Sequence, residues 1–381
     1  MLYRKFGKTK EMVSILGFGC MRLPLLEGGD NTKIDEKKAT KLIRYAIDQG
    51  VNYIDTAYPY HGLGMAGAGQ SEPFVAKVLK DGYREKVKLA TKLPSWLIKT
   101  REDMDKFLNE QLKRLETDHI DFYLVHSLTG QMWKNLQGLG INDFLDQAIK
   151  DGKIKYAGFS FHDKPEFFNG IVDSYDWSFC QIQYNYMDED FQAGTKGLRH
   201  AAAKGMGITI MEPLRGGKLA VVPENVQEIF DHASINRTPV DWALRWVWNH
   251  KEVSVVLSGM NKMEQIVENL KIANEGKENS LTKEDLTVIE KAKNAYRQRI
   301  KVPCTGCGYC MPCPSGVNIP ECFRLYNNHF IFGKEERYGM LPEQNRASKC
   351  VQCGNCEKHC PQSIKIREEL KNVKALFENN K

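Results

Sequence analysis

The sequence predicts an α/β chain: a closed (β/α)8 barrel of the TIM type followed by a second, smaller and mostly helical domain. Three observations point there. Eight short β-branched or aromatic runs alternate with longer amphipathic stretches, the pattern of parallel strands joined by helical crossovers. The length of 381 residues exceeds the ~250 of a barrel alone by enough for one more small domain. The cysteines are placed unevenly, with only Cys20 and Cys180 in the first 300 residues and nine between Cys304 and Cys360.

The strands are expected at 13–19, 52–55, 87–91, 120–126, 156–160, 179–184, 207–212 and 253–258, followed by helical patterns such as 35–49 and 101–115. Residues before Val13, basic and polar around Gly7, read as a hairpin closing the bottom of the barrel. An open doubly wound sheet is the alternative, but it needs a glycine-rich dinucleotide turn after the first strand, and Gly17-Phe18-Gly19 falls short of one. Residues 61–70 form a small, glycine-rich stretch where an active-site loop would lie, without the Gly-Lys-Ser/Thr of a phosphate-binding loop. After Leu281 the pattern changes to a charged helix over 281–299, broken by Lys301-Val302-Pro303. The expected division is therefore a barrel over 1–280, a linker helix over 281–302 and a cysteine-bearing domain over 303–381.

Composition narrows the function. Hydrophobic residues at 42% and charged residues at 27% suit a globular protein with a substantial core. The net charge of +6 is spread over 54 basic and 48 acidic residues, which leaves no concentrated basic field and excludes nucleic acid as the expected partner. Residues 1–8 carry no apolar segment, and no uncharged apolar run approaches the ~18 residues of a membrane span. A cytoplasmic protein without membrane association is expected. Clustered cysteines without a secretion signal then argue for metal ligation over disulfides.

The cysteine spacing points to the kind of metal site. Cys350, Cys353, Cys356 and Cys360, followed by Pro361, have gaps of two, two and three, the run with which bacterial ferredoxins hold three irons of one 4Fe-4S cluster and one of its neighbour. Cys304, Cys307, Cys310 and Cys313, followed by Pro314, repeat it with the last gap shortened. Soft thiolates suit cluster iron, and Gly306, Gly308 and Gly354 let the backbone curl around it. Two zinc sites are the alternative, although zinc needs only four thiolates and leaves the Cys-Pro endings unexplained. The stretch resembles two-cluster ferredoxins. That resemblance implies one cluster on Cys304, Cys307, Cys310 and Cys360 and another on Cys350, Cys353, Cys356 and Cys313. The segment 319–330 between the motifs reads as a helix, and Cys322 on it as a buried apolar residue.

In such barrels chemistry sits at the C-terminal ends of strands. Asp55, Lys92 and His126 lie at three such ends, and Tyr60 follows the second strand in Tyr-Ile-Asp-Thr-Ala-Tyr-Pro-Tyr. Taken singly, an Asp there also caps helices, a Lys is also solvated and a His also fills cores. Together they resemble the tetrad of the aldo-keto reductases. The resemblance covers about residues 1–275 and extends to Gly158-Phe-Ser160, Gln181-Ile-Gln183 and Glu212-Pro-Leu-Arg-Gly-Gly217. It implies Tyr60 as proton donor, Lys92 and Asp55 as its electrostatic support, and His126 as the group polarising the substrate oxygen.

The family's cofactor, NADP or NAD, is implied as well, with Ser160 and Gln181 at the positions that hold the nicotinamide carboxamide. Met211 stands where an aromatic ring stacks on the nicotinamide, and Phe161 replaces an Asn. Leu214, Arg215, Gly216 and Lys218 follow the seventh strand, and Ser258, Gly259, Met260 and Lys262 the eighth, where barrels bind phosphate. Gln265 stands where a basic residue often meets a 2′-phosphate, and Glu268 and Asn269 match the adenine-contacting pair. A nicotinamide passes two electrons together, whereas each cluster passes one. Three arrangements reconcile them: a flavin such as FMN in the barrel mouth or on a partner protein; a small-molecule substrate reducible by single electrons; or clusters that are structural or redox-sensing, and a redox partner protein such as a ferredoxin or flavoprotein is expected with the first.

Overall fold

In the computed structural model, which describes residues 1–333 and 335–379, the eight parallel strands close on one another. They are β1 (Leu16–Gly19), β2 (Tyr53–Asp55), β3 (Lys88–Leu93), β4 (Ile120–Leu128), β5 (Ile154–Phe161), β6 (Phe179–Gln183), β7 (Gly207–Met211) and β8 (Val255–Ser258). Neighbours pair in chain order, and β8 closes on β1 through Val256 opposite Leu16. Crossover helices cover the outer face, so a barrel strand is buried on both faces and reads as a near-continuous apolar run. β4 illustrates this, being buried at every position but Ser127.

The helices carry the complementary pattern. α1 (Glu36–Asp48) starts at Asp35, whose carboxylate accepts from the backbone N–H of Lys38, and buries Ala39, Leu42, Ile43, Ala46 and Ile47 along one stripe. α2 (Ser71–Val78) follows the glycine-rich loop. α3 (Arg101–Arg114) is started by the Asp103 carboxylate, which accepts from the Thr100 N–H at 2.9 Å.

The bottom of the barrel is plugged from the N-terminal hairpin. Strands Tyr3–Lys5 and Met12–Ser14 pair antiparallel, and the Phe6 ring between them is fully buried, 4.6 Å from the Phe122 ring and 5.4 Å from that of Phe179. A Cβ on Gly7, whose φ is +57°, would lie 2.2 Å from the Gly207 nitrogen, so only glycine lets the hairpin dock this closely. The strand expected at 13–19 is therefore two strands. Ser14 Oγ donates to the Leu16 carbonyl at 2.7 Å and accepts from the Asn52 N–H at 3.0 Å, diverting the backbone at Ile15 from the hairpin into the barrel. The other seven expected strands coincide with β2–β8 to within two residues at either end.

The chain divides into two compact units, Met1–Leu219 with Val240–Thr282, and Ala220–Pro239 with Lys283–Lys381. The second holds the cysteine motifs. Its core joins Val302, Val317, Phe323, Leu325, Ile366 and Leu370, with six of the motif cysteines packed partly buried against it. Helix Ile319–Phe332 spans that core, and its Asn327 accepts from the N–H groups of Lys301 and Val302, anchoring the lead into Cys304. Cys322 is fully buried within the core. Among the described residues no helix is long and apolar enough to cross a membrane.

Truncating Phe6→Ala should remove about 3–5 kcal/mol from the barrel's unfolding free energy, because it leaves a cavity among the rings of Tyr53, Phe122 and Phe179. Urea denaturation measures it, and a loss under about 1 kcal/mol would mean that the floor is held by something else.

Candidate active site

At the C-terminal end of the barrel, Asp55 from β2 and Lys92 from β3 meet in the wall, Nζ to Oδ1 2.7 Å, with side-chain exposures of 3% and 0%. The ammonium also donates to the Thr56 carbonyl at 2.8 Å and to the Tyr60 hydroxyl at 3.2 Å. All three N–H groups of Lys92 are thereby used. The His126 ring stands at right angles to that of Tyr60, centroids 6.0 Å apart, and its Nδ1 is buried without a partner. The four residues marked in the sequence thus share one cluster, buried at Asp55, Lys92 and His126 and half-buried at Tyr60.

Burial pushes the Asp55 carboxyl up, while the charge and hydrogen bond of Lys92 pull it down. Burial works against the Lys92 ammonium, but the charges of Asp55 and Tyr60 more than compensate and hold it above its ordinary value. Burial raises the Tyr60 phenol against the pull of Lys92. His126 is held well below the ordinary imidazole value, by burial first and then by the Lys92 charge, so it is neutral at pH 7.

Ser160 and Gln181 lie buried on neighbouring strands, paired in register. Ser160 Oγ accepts from the Ser127 N–H at 2.8 Å. Gln181 Nε2 lies 3.6 Å from the Met211 sulfur, and Gln181 Oε1 is buried without a partner. Phe161 is fully buried with its ring 5.0 Å from that of Phe168 on helix Pro165–Val172, placing it in the helical layer. After β7, Leu214, Arg215, Gly216 and Lys218 form a tight turn in which Arg215 lies 3.4 Å from Asp188. After β8, Gly259 is exposed, the Met260 side chain is buried, and Ser258 Oγ accepts from Asn269 Nδ2 at 3.0 Å. Gln265 accepts from the N–H groups of Asn261 and Lys262, capping helix Met263–Ala273 on which Glu268 also lies.

One residue escaped the sequence reading. The Trp96 ring lies 5.2 Å from His126, and its Nε1 donates to the Met65 carbonyl at 2.8 Å, tying the 61–70 loop to the turn after β3. Its position four residues after Lys92 was the available signal.

In the second unit Cys304, Cys307, Cys310 and Cys360 line one cavity with Ile319, Phe323 and Ile364. The last cysteine of the second motif thus joins the first three of the first motif. Four thiols around one apolar-walled cavity suit a multi-iron body. This donor set fits a 4Fe-4S cluster.

Replacing Lys92→Met should destabilise the fold by about 3–5 kcal/mol, because Asp55 would stay buried without its partner; Asp55→Asn in the same chain should restore part of the loss in urea melts. For the clusters, Cys360→Ala and Cys307→Ala should each halve the bound iron and, combined, remove no more than either alone. Additive loss in the double variant would show that Cys360 serves the other cluster.

Comparison with known proteins bears on the family and the fold. Residues 15–294 match the aldo/keto reductase family and residues 303–364 match a 4Fe-4S dicluster domain. A probable aldo-keto reductase of Glycine max is 28% identical over 302 residues, covering 70% of this chain and 82% of the relative. The 6-dehydroglucose reductase of Novosphingobium aromaticivorans is 27% identical over 285 residues, covering 70% and 88%. The holo form of an aldo-keto reductase from Bacillus halodurans superposes with a TM-score of 0.62 at 24% identity, over 77% of this chain and 96% of that one, which bears on the fold alone. The chain is an oxidoreductase that belongs to the aldo/keto reductase family and carries a 4Fe-4S dicluster domain after its barrel.

Proposed function

We propose that the barrel reduces a carbonyl or related small-molecule substrate with hydride from a nicotinamide nucleotide, and that it exchanges electrons with the two 4Fe-4S clusters. The observation that carries the first part is the buried chain Asp55–Lys92–Tyr60, with neutral His126 beside it. A phenol of pKa ~10 is a poor acid at neutral pH unless a cation stabilises its anion. Lys92 is that cation, and Asp55 keeps it charged and aimed. His126, neutral, donates a hydrogen bond to the substrate oxygen without competing for the proton.

The orphaned Gln181 Oε1 fits an amide N–H of a nicotinamide carboxamide, and Ser160 retains an O–H to donate. The turns after β7 and β8, with Arg215, Lys218 and Lys262, suit a pyrophosphate, and Glu268 and Asn269 suit the adenine. Gln265 brings no charge to a 2′-phosphate, so NAD and NADP both fit this end. When bound, the nucleotide supplies a hydride to the carbonyl carbon; Tyr60 gives its proton to the oxygen, and the phenolate takes a proton back from solvent.

Two clusters accept two electrons, one each, so a hydride given to a flavin in place of the carbonyl would be divided between them in equal number. Cys307 and Cys353 are exposed, as are Tyr309 and Val351 next to the motifs, which supports electron exchange with a redox partner protein such as a ferredoxin or flavoprotein. Met211, in place of a stacking aromatic, favours a second reading, in which the barrel binds a nucleotide or flavin and the chain transfers electrons or senses redox state without carbonyl chemistry.

Tyr60→Phe separates the two. On the first reading it should lower aldehyde-reducing kcat/KM by at least about 100-fold and leave iron content and cluster absorbance unchanged; retained turnover would favour the second. With His126 neutral and Lys92 charged, kcat/KM for reduction should stay level through neutral pH and fall at alkaline pH as Tyr60 loses the proton it must donate. A rise with alkaline pH would contradict the assignment.

A further inference from the structure

Beside the tetrad lies a second buried charge that carbonyl reduction does not use. Glu72, in the first turn of α2, is fully buried. Its carboxylate accepts from Thr91 Oγ1 at 2.7 Å, Gln111 Nε2 at 2.7 Å and Arg114 Nε at 2.9 Å. From this point two routes lead to the proton donor and its cation.

The first route reaches Lys92. Gln111 Nε2, shared with Glu72, also donates to the Lys92 backbone carbonyl at 3.0 Å, and Gln111 Oε1 is fixed by the Tyr123 hydroxyl at 2.8 Å. Thr91 is the residue before Lys92, so Glu72 grips the end of β3 at two successive residues. The second route reaches Tyr60. Arg114 donates to the Gly69 carbonyl. Gly69 N–H donates to the Tyr58 carbonyl at 2.7 Å, and Ser71 N–H to the Tyr60 carbonyl at 3.1 Å. The approach is so close that a Cβ on Gly69 would lie 1.9 Å from the Tyr60 backbone carbonyl oxygen. Ser71 Oγ, 2.8 Å from Thr56 Oγ1, ties the same segment to the residue whose carbonyl receives the Lys92 ammonium.

A buried ion pair is a poor way to stabilise a fold, since apolar residues of equal volume often do as well; what such a pair can supply is a fixed arrangement. Here the arrangement is that of the backbones carrying Tyr60 and Lys92, whose side chains meet at 3.2 Å. We propose that Glu72, through Gln111 and Arg114, is a positioning residue that sets the separation of Tyr60 from Lys92 and thereby the acidity of the proton donor. The proposal rests on the carbonyl-reduction reading.

The test is the pH profile of aldehyde reduction by Glu72→Gln in the full-length holoprotein, with NADPH and an aromatic aldehyde as probes. A phenol farther from the ammonium is a weaker acid. The alkaline limb of kcat/KM should therefore move to higher pH while kcat falls about 10- to 100-fold and KM changes little. Arg114→Lys, which keeps the charge, should keep much of the original profile where Arg114→Met does not. A lower plateau with an unmoved limb would overturn the proposal, because a merely structural role scales the curve without shifting it. If Glu72→Gln does not fold, Thr91→Val, which removes a single donor, should show the same shift at smaller size, and an unmoved limb there would overturn it equally. Tyr60→Phe measured alongside separates the failures: retained reduction in that variant overturns both readings, whereas an inactive Tyr60→Phe with an unshifted Glu72→Gln overturns the positioning role alone.

Discussion

The ammonium of Lys92 is the constraint on which the site depends. It is removed from water, and its three N–H groups are taken up by Asp55, the Thr56 carbonyl and Tyr60. Burying such a charge without partners would cost several kcal/mol, so its survival requires β2 and β3 to lie side by side in a fixed register. Asp55 opposite Ala90, two residues before Lys92, supplies that register. The same satisfaction removes freedom: an ammonium with no spare donor cannot swing away from the phenol. Stability and reactivity are thus demanded of the same few atoms.

Much of this was legible in the sequence because barrel topology turns linear spacing into position. Strands buried on both faces announce themselves as apolar runs, and the residue closing each run falls at the catalytic end. That reading puts Asp55, Lys92 and His126 near strand ends without coordinates, where the structure has them. The cysteine spacing was informative for a different reason, since four ligands of a cluster must lie on a tightly curled chain. That Cys360 crosses to the first motif's cavity follows the ferredoxin pattern of the run.

Other features depend on contacts between distant segments and leave no local trace. Ser14 breaks what reads as one strand, because its hydroxyl takes up backbone groups of Leu16 and Asn52. Glu72 looks like an ordinary acid in a helix's first turn, and only the folded chain shows it enclosed by Thr91, Gln111 and Arg114. Gln265 reads as a lost nucleotide contact, yet its oxygen is engaged in capping its own helix. Phe161 reads as a change in the cofactor site, but its ring sits among the outer helices, so the substitution alters packing there.

In the proposed function, the barrel and the clusters share electrons from the same nicotinamide nucleotide. The most direct measurement is anaerobic mixing of reduced nicotinamide nucleotide with the oxidised, iron-replete protein, following the cluster absorbance in time and assaying bound flavin in the same sample. Bleaching of the clusters in step with nucleotide oxidation is the predicted result. Clusters that stay oxidised while the same protein turns over an aldehyde would contradict it and leave the dicluster domain without an electron-transfer role in the barrel's chemistry.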